Sequence, residues 1–183
     1  KGMVILSHGL ESGPQATKVT ALARVAEEQG WASIRPDYLD LDATRDPLQI
    51  SRRVERALER APREGRVVFG GSSMGAYTSG LASLTRQCDG LFLIALPVAI
   101  DGYPQVFDAA RVPTVLVHGW RDELCPVDDA IAFARDRGDT LHLVDDTHRL
   151  VDHVEYGADA FRQLLIAIDD MFFATCPKGL EYL

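Results

Sequence analysis

Residues 67–76 restrict the possible fold more strongly than any other stretch of the chain. They join an apolar, β-branched run to a Gly-x-Ser-x-Gly pentapeptide that extends from Gly71 to Gly75, and a helical pattern follows. The apolar run is typical of a buried strand. A tight turn directly before a helix has no room for Cβ atoms on the residues beside it, and the two glycines of the pentapeptide have none. We therefore expect a strand, a sharp turn and a helix, with the Ser73 hydroxyl exposed at the edge of a buried sheet.

Apolar runs and helical patterns alternate along the rest of the chain. Together with the strand before Ser73, the runs predict six strands, at residues 3–6, 32–38, 66–70, 91–96, 112–119 and 141–144. Helical spacing of apolar residues predicts helices over residues 14–30, 46–61, 74–86, 128–137 and 154–168. Strands that are almost wholly apolar need cover on both faces. We therefore expect a three-layer α/β sandwich, with a mostly parallel six-stranded sheet between helices.

Length and composition predict a single domain over residues 1–183. The chain is 46% hydrophobic and 25% charged, which supplies enough apolar surface for one core. We expect the core to occupy about residues 3–170 and residues 171–183 to form a C-terminal tail. The segment 171–177 is more apolar than a solvated terminus usually is, and it could pack on the domain or on a second subunit. The sequence leaves the choice between monomer and homodimer open.

The net charge of −8 argues against general binding to nucleic acid or to an anionic membrane, because cations are not in excess. Residues 52–66 do contain many arginines, but glutamates alternate with them, and the pattern predicts a solvated helix face. These arginines are Arg52, Arg53, Arg56, Arg60, Arg63 and Arg66. The longest apolar run, residues 91–100, is far shorter than the roughly 20 residues that span a bilayer. We expect the protein to bind neither nucleic acid nor a membrane.

The three cysteines, Cys88, Cys125 and Cys176, show no Cys-x-x-Cys spacing, which predicts neither a disulfide framework nor a zinc site. They suit a reducing compartment, and no secretory signal opens the chain, so we expect a cytoplasmic protein. The sequence lacks the glycine patterns that cradle nucleotides, and no His-Glu-x-x-His motif is present. We therefore predict no cofactor and no metal.

Polar residues follow four of the predicted strands. His8, Ser73, Asp122 and His148 each come at or just after the end of a strand. In an open parallel sheet, ligands bind beyond the carboxyl ends of the strands. These side chains are therefore expected at one edge of the sheet, where they could act together.

The order Ser73, Asp122, His148 on these strands resembles the α/β-hydrolase superfamily, whose triad runs nucleophile, acid, histidine. The resemblance covers about residues 4–168. Within the superfamily, residues 6–18 are similar to the small, lidless bacterial serine esterases, whose His-Gly loop leads directly into a helix. The resemblance implies a reduced α/β-hydrolase fold without a cap domain. It also implies Ser73 as nucleophile, His148 as general base and Asp122 as the carboxylate that orients it.

The same resemblance implies an oxyanion hole made by the backbone N–H groups of Leu10 and Met74. Residues expected to bind substrate are His8, Gly9, Pro97 and Trp120. Only about 15 residues separate the strands ending at 96 and beginning at 112, which leaves no room for a sizeable cap. An open groove of this kind favours a small-molecule carboxylic ester or thioester with a small to medium acyl group.

Two site assignments have rivals in the sequence. His153 competes with His148 as the base, but it falls inside the predicted final helix, where a solvated position suits it better. Glu123 can replace Asp122 as the acid if Asp122 points away. His8 precedes a glycine at a strand end, where a histidine is more often a structural hydrogen-bonding group than a catalyst.

Two other functions also fit the pattern. The same triad can pass an acyl group to an acceptor other than water, which would make the protein an acyltransferase. A non-catalytic member of the fold could use the pocket only for binding, although the presence of all three triad residues argues against it.

Overall fold

Six parallel strands form one sheet in the order β2-β1-β3-β4-β5-β6. The fold is taken from a computed structural model that describes residues 1–175; residues 176–183 lie outside the described part. The strands are β1 Met3–Ser7, β2 Ala32–Ile34, β3 Val67–Ser72, β4 Gly90–Ile94, β5 Thr114–Gly119 and β6 Thr140–Val144. This confirms the predicted six-stranded sheet, which is parallel throughout.

Helices cover both faces of the sheet. Their bounds are α1 Thr17–Glu28, α2 Leu39–Asp42, α3 Ile50–Arg60, α4 Met74–Ser83, α5 Val127–Arg137 and α6 Val154–Thr175, with short 3₁₀ turns at Pro47–Gln49 and Val151–His153. Helices α1 and α6 lie on one face, and α3, α4 and α5 lie on the other. Within residues 1–175, no helix has the length and apolar character needed to cross a membrane.

Alternate side chains of each central strand enter different halves of the core. In β1, Val4 and Leu6 pack with α1 and α6, whereas Ile5 packs with the helices of the opposite face. All three are fully buried. This two-residue period explains the continuous apolar runs in the sequence, because both faces of each central strand are covered.

The strand order places a natural crevice between β1 and β3. From β1 the chain crosses to β2 on one side, and from β2 it returns to β3 on the other side of β1. The loops that follow β1 and β3 therefore diverge to opposite faces, and a cleft opens between them at the carboxyl ends of the strands. Ser73 follows β3 directly, and Leu10 lies in the loop after β1.

Several boundaries differ from the predicted ones. Strand β2 stops at Ile34 rather than at residue 38, since Pro36 has no N–H to donate to a neighbouring strand. The chain then forms the short helix α2, which no periodic pattern predicted. The last helix continues to Thr175, so residues 171–175 of the predicted tail are helical. The rest of that tail lies outside the described residues.

Candidate active site

Ser73 lies at the turn between β3 and α4. Its backbone has φ 56° and ψ −119°, a left-handed conformation that is strained for a residue with a side chain. The turn brings the start of α4 against the end of β1: a Cβ atom on Gly75 would lie 1.9 Å from the Ser7 carbonyl oxygen. A Cβ atom on Gly71 would lie 2.5 Å from the Gly75 backbone. The two glycines of the pentapeptide are therefore required by close backbone packing.

The structure brings Ser73, His148 and Asp122 together in one hydrogen-bonded chain. His148 Nε2 is 2.9 Å from Ser73 Oγ, and His148 Nδ1 is 2.8 Å from Asp122 Oδ2. A carboxylate only accepts hydrogen bonds, so Nδ1–H is the donor to Asp122. The neutral imidazole then has a free lone pair on Nε2, which accepts the hydroxyl proton of Ser73. This arrangement can remove that proton when Ser73 attacks a substrate.

The Asp122 carboxylate is buried and held from several sides. Its Oδ1 atom accepts the backbone N–H groups of Leu124 and Cys125 at 2.9 and 2.7 Å. Its Oδ2 atom, besides binding His148, lies 3.3 Å from Nε2 of the fully buried His118. The same His118 nitrogen donates to the Cys125 carbonyl oxygen at 2.8 Å. These contacts fix the carboxylate in the orientation that His148 needs.

The two rival residues have other partners. His153 Nδ1 donates to Asp146 at 2.8 Å, and His153 ends the 3₁₀ turn before α6 rather than lying inside the helix. Burial raises the pKa of Asp146, but its hydrogen bonds to His153 and to nearby backbone N–H groups outweigh this effect and leave the pKa below its usual value. Glu123 accepts the backbone N–H of His148 at 3.3 Å. Asp122, not Glu123, is therefore the carboxylate that meets the imidazole.

The backbone N–H groups of Leu10 and Met74 are available for a ligand. Met74 is the first residue of α4, so its N–H has no acceptor within the helix. Within residues 1–175, neither N–H donates to another backbone group. Both residues line the groove that contains Ser73 and His148. Two donors at this place could bind an oxygen that becomes negatively charged on a substrate carbonyl.

His8 is fully buried beneath the loop after β1. Its Nδ1–H donates to the Gly9 carbonyl oxygen at 2.6 Å, and its Nε2 accepts the Tyr38 backbone N–H at 3.0 Å. Burial lowers the pKa of His8, which keeps the imidazole neutral, as the bond from Tyr38 requires. Both ring nitrogens are occupied by the protein, which favours a structural role over the predicted role in substrate binding.

An open groove of about 910 Å³ contains Ser73 and His148. Of the residues expected to bind substrate, His8, Gly9 and Pro97 line this groove. Trp120 is 53% exposed and is not part of its lining. Residues 95–113, which connect β4 to β5, form no helix or strand, so no cap covers the groove from this connection.

The predicted solvated arginine face is wrong for Arg53. This side chain is 1% exposed and binds Asp42, with Nε–Oδ1 and Nη2–Oδ2 distances of 2.8 and 2.9 Å. The helical spacing of the sequence could have indicated that Arg53 is buried, because Arg53 shares the buried face of α3 with Ile50 and Ala57. A charged residue on such a face needs a buried partner. That partner comes from α2, a helix that no periodic pattern predicts.

Arg53 also supports the loop that carries Leu10. Its Nη1 donates to the His8 carbonyl oxygen at 3.0 Å, and its Nη2 donates to the Gly9 carbonyl oxygen at 3.3 Å. Asp42 Oδ2 in turn accepts the Glu11 backbone N–H at 3.0 Å. The buried ion pair thus binds the loop on both sides of Leu10.

Asp122, Cys125 and His148 place potential metal-ligand atoms within 4.8 Å of one another. However, Asp122 and His148 are already hydrogen-bonded to each other. Burial raises the pKa of the Cys125 thiol to about 12, with a further contribution from the nearby Asp122 charge. A metal prefers the thiolate, so this chemistry favours the hydrogen-bonded arrangement over metal ligation.

A candidate hydrolase of the α/β superfamily from Xanthomonas campestris is similar to this chain over nearly its whole length. The two proteins share 47% sequence identity and superpose with a TM-score of 0.87. The match covers 91% of this chain and 99% of the Xanthomonas protein.

More distant structures share the fold. A lidless α/β serine hydrolase from Xanthomonas campestris is 19% identical with a TM-score of 0.65, and the match covers 90% of this chain and 81% of that one. An esterase from Pyrococcus furiosus is 16% identical with a TM-score of 0.67, over 91% and 83% of the two chains. At these identities the likeness concerns the fold alone. No protein-family model and no curated protein matches the chain.

Proposed function

The chain belongs to the α/β-hydrolase superfamily, and from that premise we propose that it is a serine hydrolase of carboxylic esters or thioesters with small to medium acyl groups. The observation that carries this proposal is the continuous hydrogen-bonded chain from Ser73 through His148 to Asp122. Esterases are also among the proteins that share its fold.

The first half of the reaction forms an acyl-enzyme. Ser73 Oγ attacks the substrate carbonyl carbon while His148 Nε2 takes the hydroxyl proton. Asp122 stabilises the resulting imidazolium through Nδ1–H, and the N–H groups of Leu10 and Met74 bind the oxyanion. When the intermediate collapses, the bond from carbon to the leaving oxygen or sulfur breaks, and His148 returns its proton to the leaving group.

The second half regenerates the enzyme. A water molecule gives a proton to His148 Nε2 and attacks the acyl carbon. The bond between that carbon and Ser73 Oγ then breaks, the carboxylic acid leaves, and the proton returns to Ser73. An open groove with exposed Leu10, Leu124 and Val151 supports access for apolar esters.

A fluorophosphonate probe tests the proposal directly, because it reacts with an activated serine and not with an ordinary one. We expect the wild-type protein to be labelled and to hydrolyse p-nitrophenyl esters. Ser73→Ala should abolish labelling, and His148→Ala should reduce it by at least a hundredfold in rate. His153→Ala is the matched control, since this histidine bonds Asp146 instead, and it should be labelled like the wild type.

Absence of labelling in the wild-type protein, or full labelling of Ser73→Ala, would contradict the proposal. An unlabelled protein that still binds small esters would be a binding module. Labelling followed by transfer of the acyl group to an alcohol or amine in preference to water would identify an acyltransferase.

A further inference from the structure

A second cavity, of about 360 Å³, opens beside the active-site groove. We propose that this cavity receives the acyl group of the substrate and that this acyl group carries no charge. We call this cavity the side chamber; its apolar lining consists of Leu10, Leu41, Pro47, Ile50, Met74 and Ile100. The inference rests on the proposed function. It adds the orientation in which the substrate binds and the chemical class of its acyl group.

The side chamber and the groove meet at the proposed oxyanion hole. Leu10 and Met74 line both cavities, as does Ile100. A carbonyl oxygen bound by the N–H groups of Leu10 and Met74 would therefore hold its carbon at the junction. From that point, one substituent of the carbon can enter the chamber and the other can follow the groove.

The position of His148 decides which substituent goes where. His148 lines the groove but not the side chamber. Because His148 Nε2 must protonate the leaving oxygen or sulfur, the leaving group has to lie on the His148 side. The acyl group, which needs no proton, is left to occupy the chamber.

The charges of the chamber favour an uncharged group. Asp42 and Arg53 at its wall are buried and bound to each other, so neither charge is free for a ligand. Around the rim, Glu11 and Asp46 supply two carboxylates against the single guanidinium of Arg45, which lies 3.8 Å from Glu11. An acyl group with its own carboxylate would be repelled more than attracted at this rim.

The chamber volume is near the lower end of the range for small-molecule sites, about 300–1,000 Å³. An acyl chain that extends into it should gain up to about fourfold in kcat/KM for each methylene that leaves water. The gain should stop once the chain fills the chamber. We therefore expect kcat/KM to rise with chain length and then level off or fall.

The test uses p-nitrophenyl esters from acetate to dodecanoate with the wild type and two tryptophan variants. Gln49 lines only the side chamber and lies outside the hydrophobic core, so Gln49→Trp should fill the chamber without disturbing the fold. We expect it to lower the ratio of kcat/KM for octanoate to that for acetate by at least tenfold. Val151, which is 64% exposed, lines only the groove. Val151→Trp should leave this ratio within twofold of the wild type and should instead change the preference between p-nitrophenyl and 4-methylumbelliferyl leaving groups.

A charged acyl group tests the chemical class. The wild type should hydrolyse the p-nitrophenyl monoester of glutaric acid at least tenfold more slowly than p-nitrophenyl pentanoate. Equal or faster hydrolysis of the glutarate ester would contradict the inference that the side chamber takes an uncharged acyl group. If Val151→Trp changes the chain-length ratio and Gln49→Trp does not, the acyl group lies in the groove and the assignment of the chamber is wrong.

Fluorophosphonate labelling separates failure of this inference from failure of the proposed function. A wild-type protein that is not labelled fails as a serine hydrolase. A labelled protein that hydrolyses the esters with no dependence on acyl length remains an ester hydrolase and refutes only the side-chamber assignment. A labelled protein that hydrolyses no ester of the series keeps an activated serine but contradicts the proposed ester substrate as well as the side-chamber assignment.

Discussion

Replacing Arg53 by methionine should weaken both the fold and the loop that carries the proposed oxyanion donor. The guanidinium binds Asp42 through two hydrogen bonds of 2.8 and 2.9 Å. It also donates to the carbonyl oxygens of His8 and Gly9 at 3.0 and 3.3 Å and approaches Thr78 Oγ1 at 3.4 Å. Methionine fills a similar volume but makes none of these bonds, so the substitution isolates the contribution of the charge and its donors.

The expected loss of stability follows from burial. The side chains of Arg53 and Asp42 are 1% and 3% exposed. Removing one partner of such a pair leaves a lone buried charge and costs about 3–5 kcal/mol. Because the free energy of unfolding of a typical protein is only about 5–15 kcal/mol, Arg53→Met should lose a large fraction of it.

A double variant separates the effect of the charge from that of the loop. Arg53→Met with Asp42→Leu contains no lone charge, so it should recover at least about 2 kcal/mol of the loss. It should not recover activity, because the guanidinium that binds the His8 and Gly9 carbonyl oxygens is still missing. Misplacing one oxyanion-hole donor has an upper cost of about 10²–10³ in kcat, and we expect a loss of about 10–100-fold in both variants.

Urea unfolding followed by the fluorescence of the buried Trp31 measures the stability term, and p-nitrophenyl ester turnover measures the activity term. Arg53→Lys keeps the charge but cannot form the two-pronged bond to Asp42, and it should fall between wild type and Arg53→Met. A loss of less than about 1 kcal/mol in Arg53→Met would refute the argument from the buried pair. Full recovery of kcat in the double variant would refute the argument that Arg53 positions the loop.

Three further predictions follow from single residues. Because Ser73 has φ 56°, Ser73→Gly should be more stable than the equally inactive Ser73→Ala by about 1 kcal/mol, as measured by urea unfolding; equal stability would argue against strain. Burial lowers the pKa of His8, so the folded protein binds no proton there when the unfolded chain does; stability should fall as the pH drops below about 6.5, and a melting series of His8→Gln should show a weaker fall. Gly75→Ala would place a Cβ atom 1.9 Å from the Ser7 carbonyl oxygen and should lower the melting temperature severely. In α6, a Cβ atom added at Gly157 would meet no heavy atom within 4 Å beyond its own stretch of helix, so Gly157→Ala should leave the melting temperature unchanged or raised.

Local patterns in the sequence were sufficient for the class of fold and for its central turn. Buried strands covered on both faces are apolar at every position, and helices repeat their apolar residues every three or four positions, so both can be read from neighbouring residues. The glycines around Ser73 act over the same short range, through the packing of Gly75 against Ser7. The sequence therefore predicted six parallel strands between two layers of helices, and the structure confirms this.

The site residues were predicted from strand ends and from a family resemblance. The structure brings Ser73, His148 and Asp122 within hydrogen-bonding distance, and it pairs His153 with Asp146. Their catalytic roles remain a prediction for the labelling experiment.

Only the tertiary structure decided which polar residues are buried and what shape surrounds the site. Helical spacing puts Arg53 on the apolar face of α3, but its partner Asp42 belongs to a helix of four residues with no periodic signal of its own, so only the fold shows that the charge can be buried. The side chamber is formed by segments that are distant along the chain and meet only when β1, α3 and α4 have packed. A sequence pattern shows only the order of side chains along the chain. The burial of a residue and the shape of a cavity depend on which distant residues the fold places next to one another.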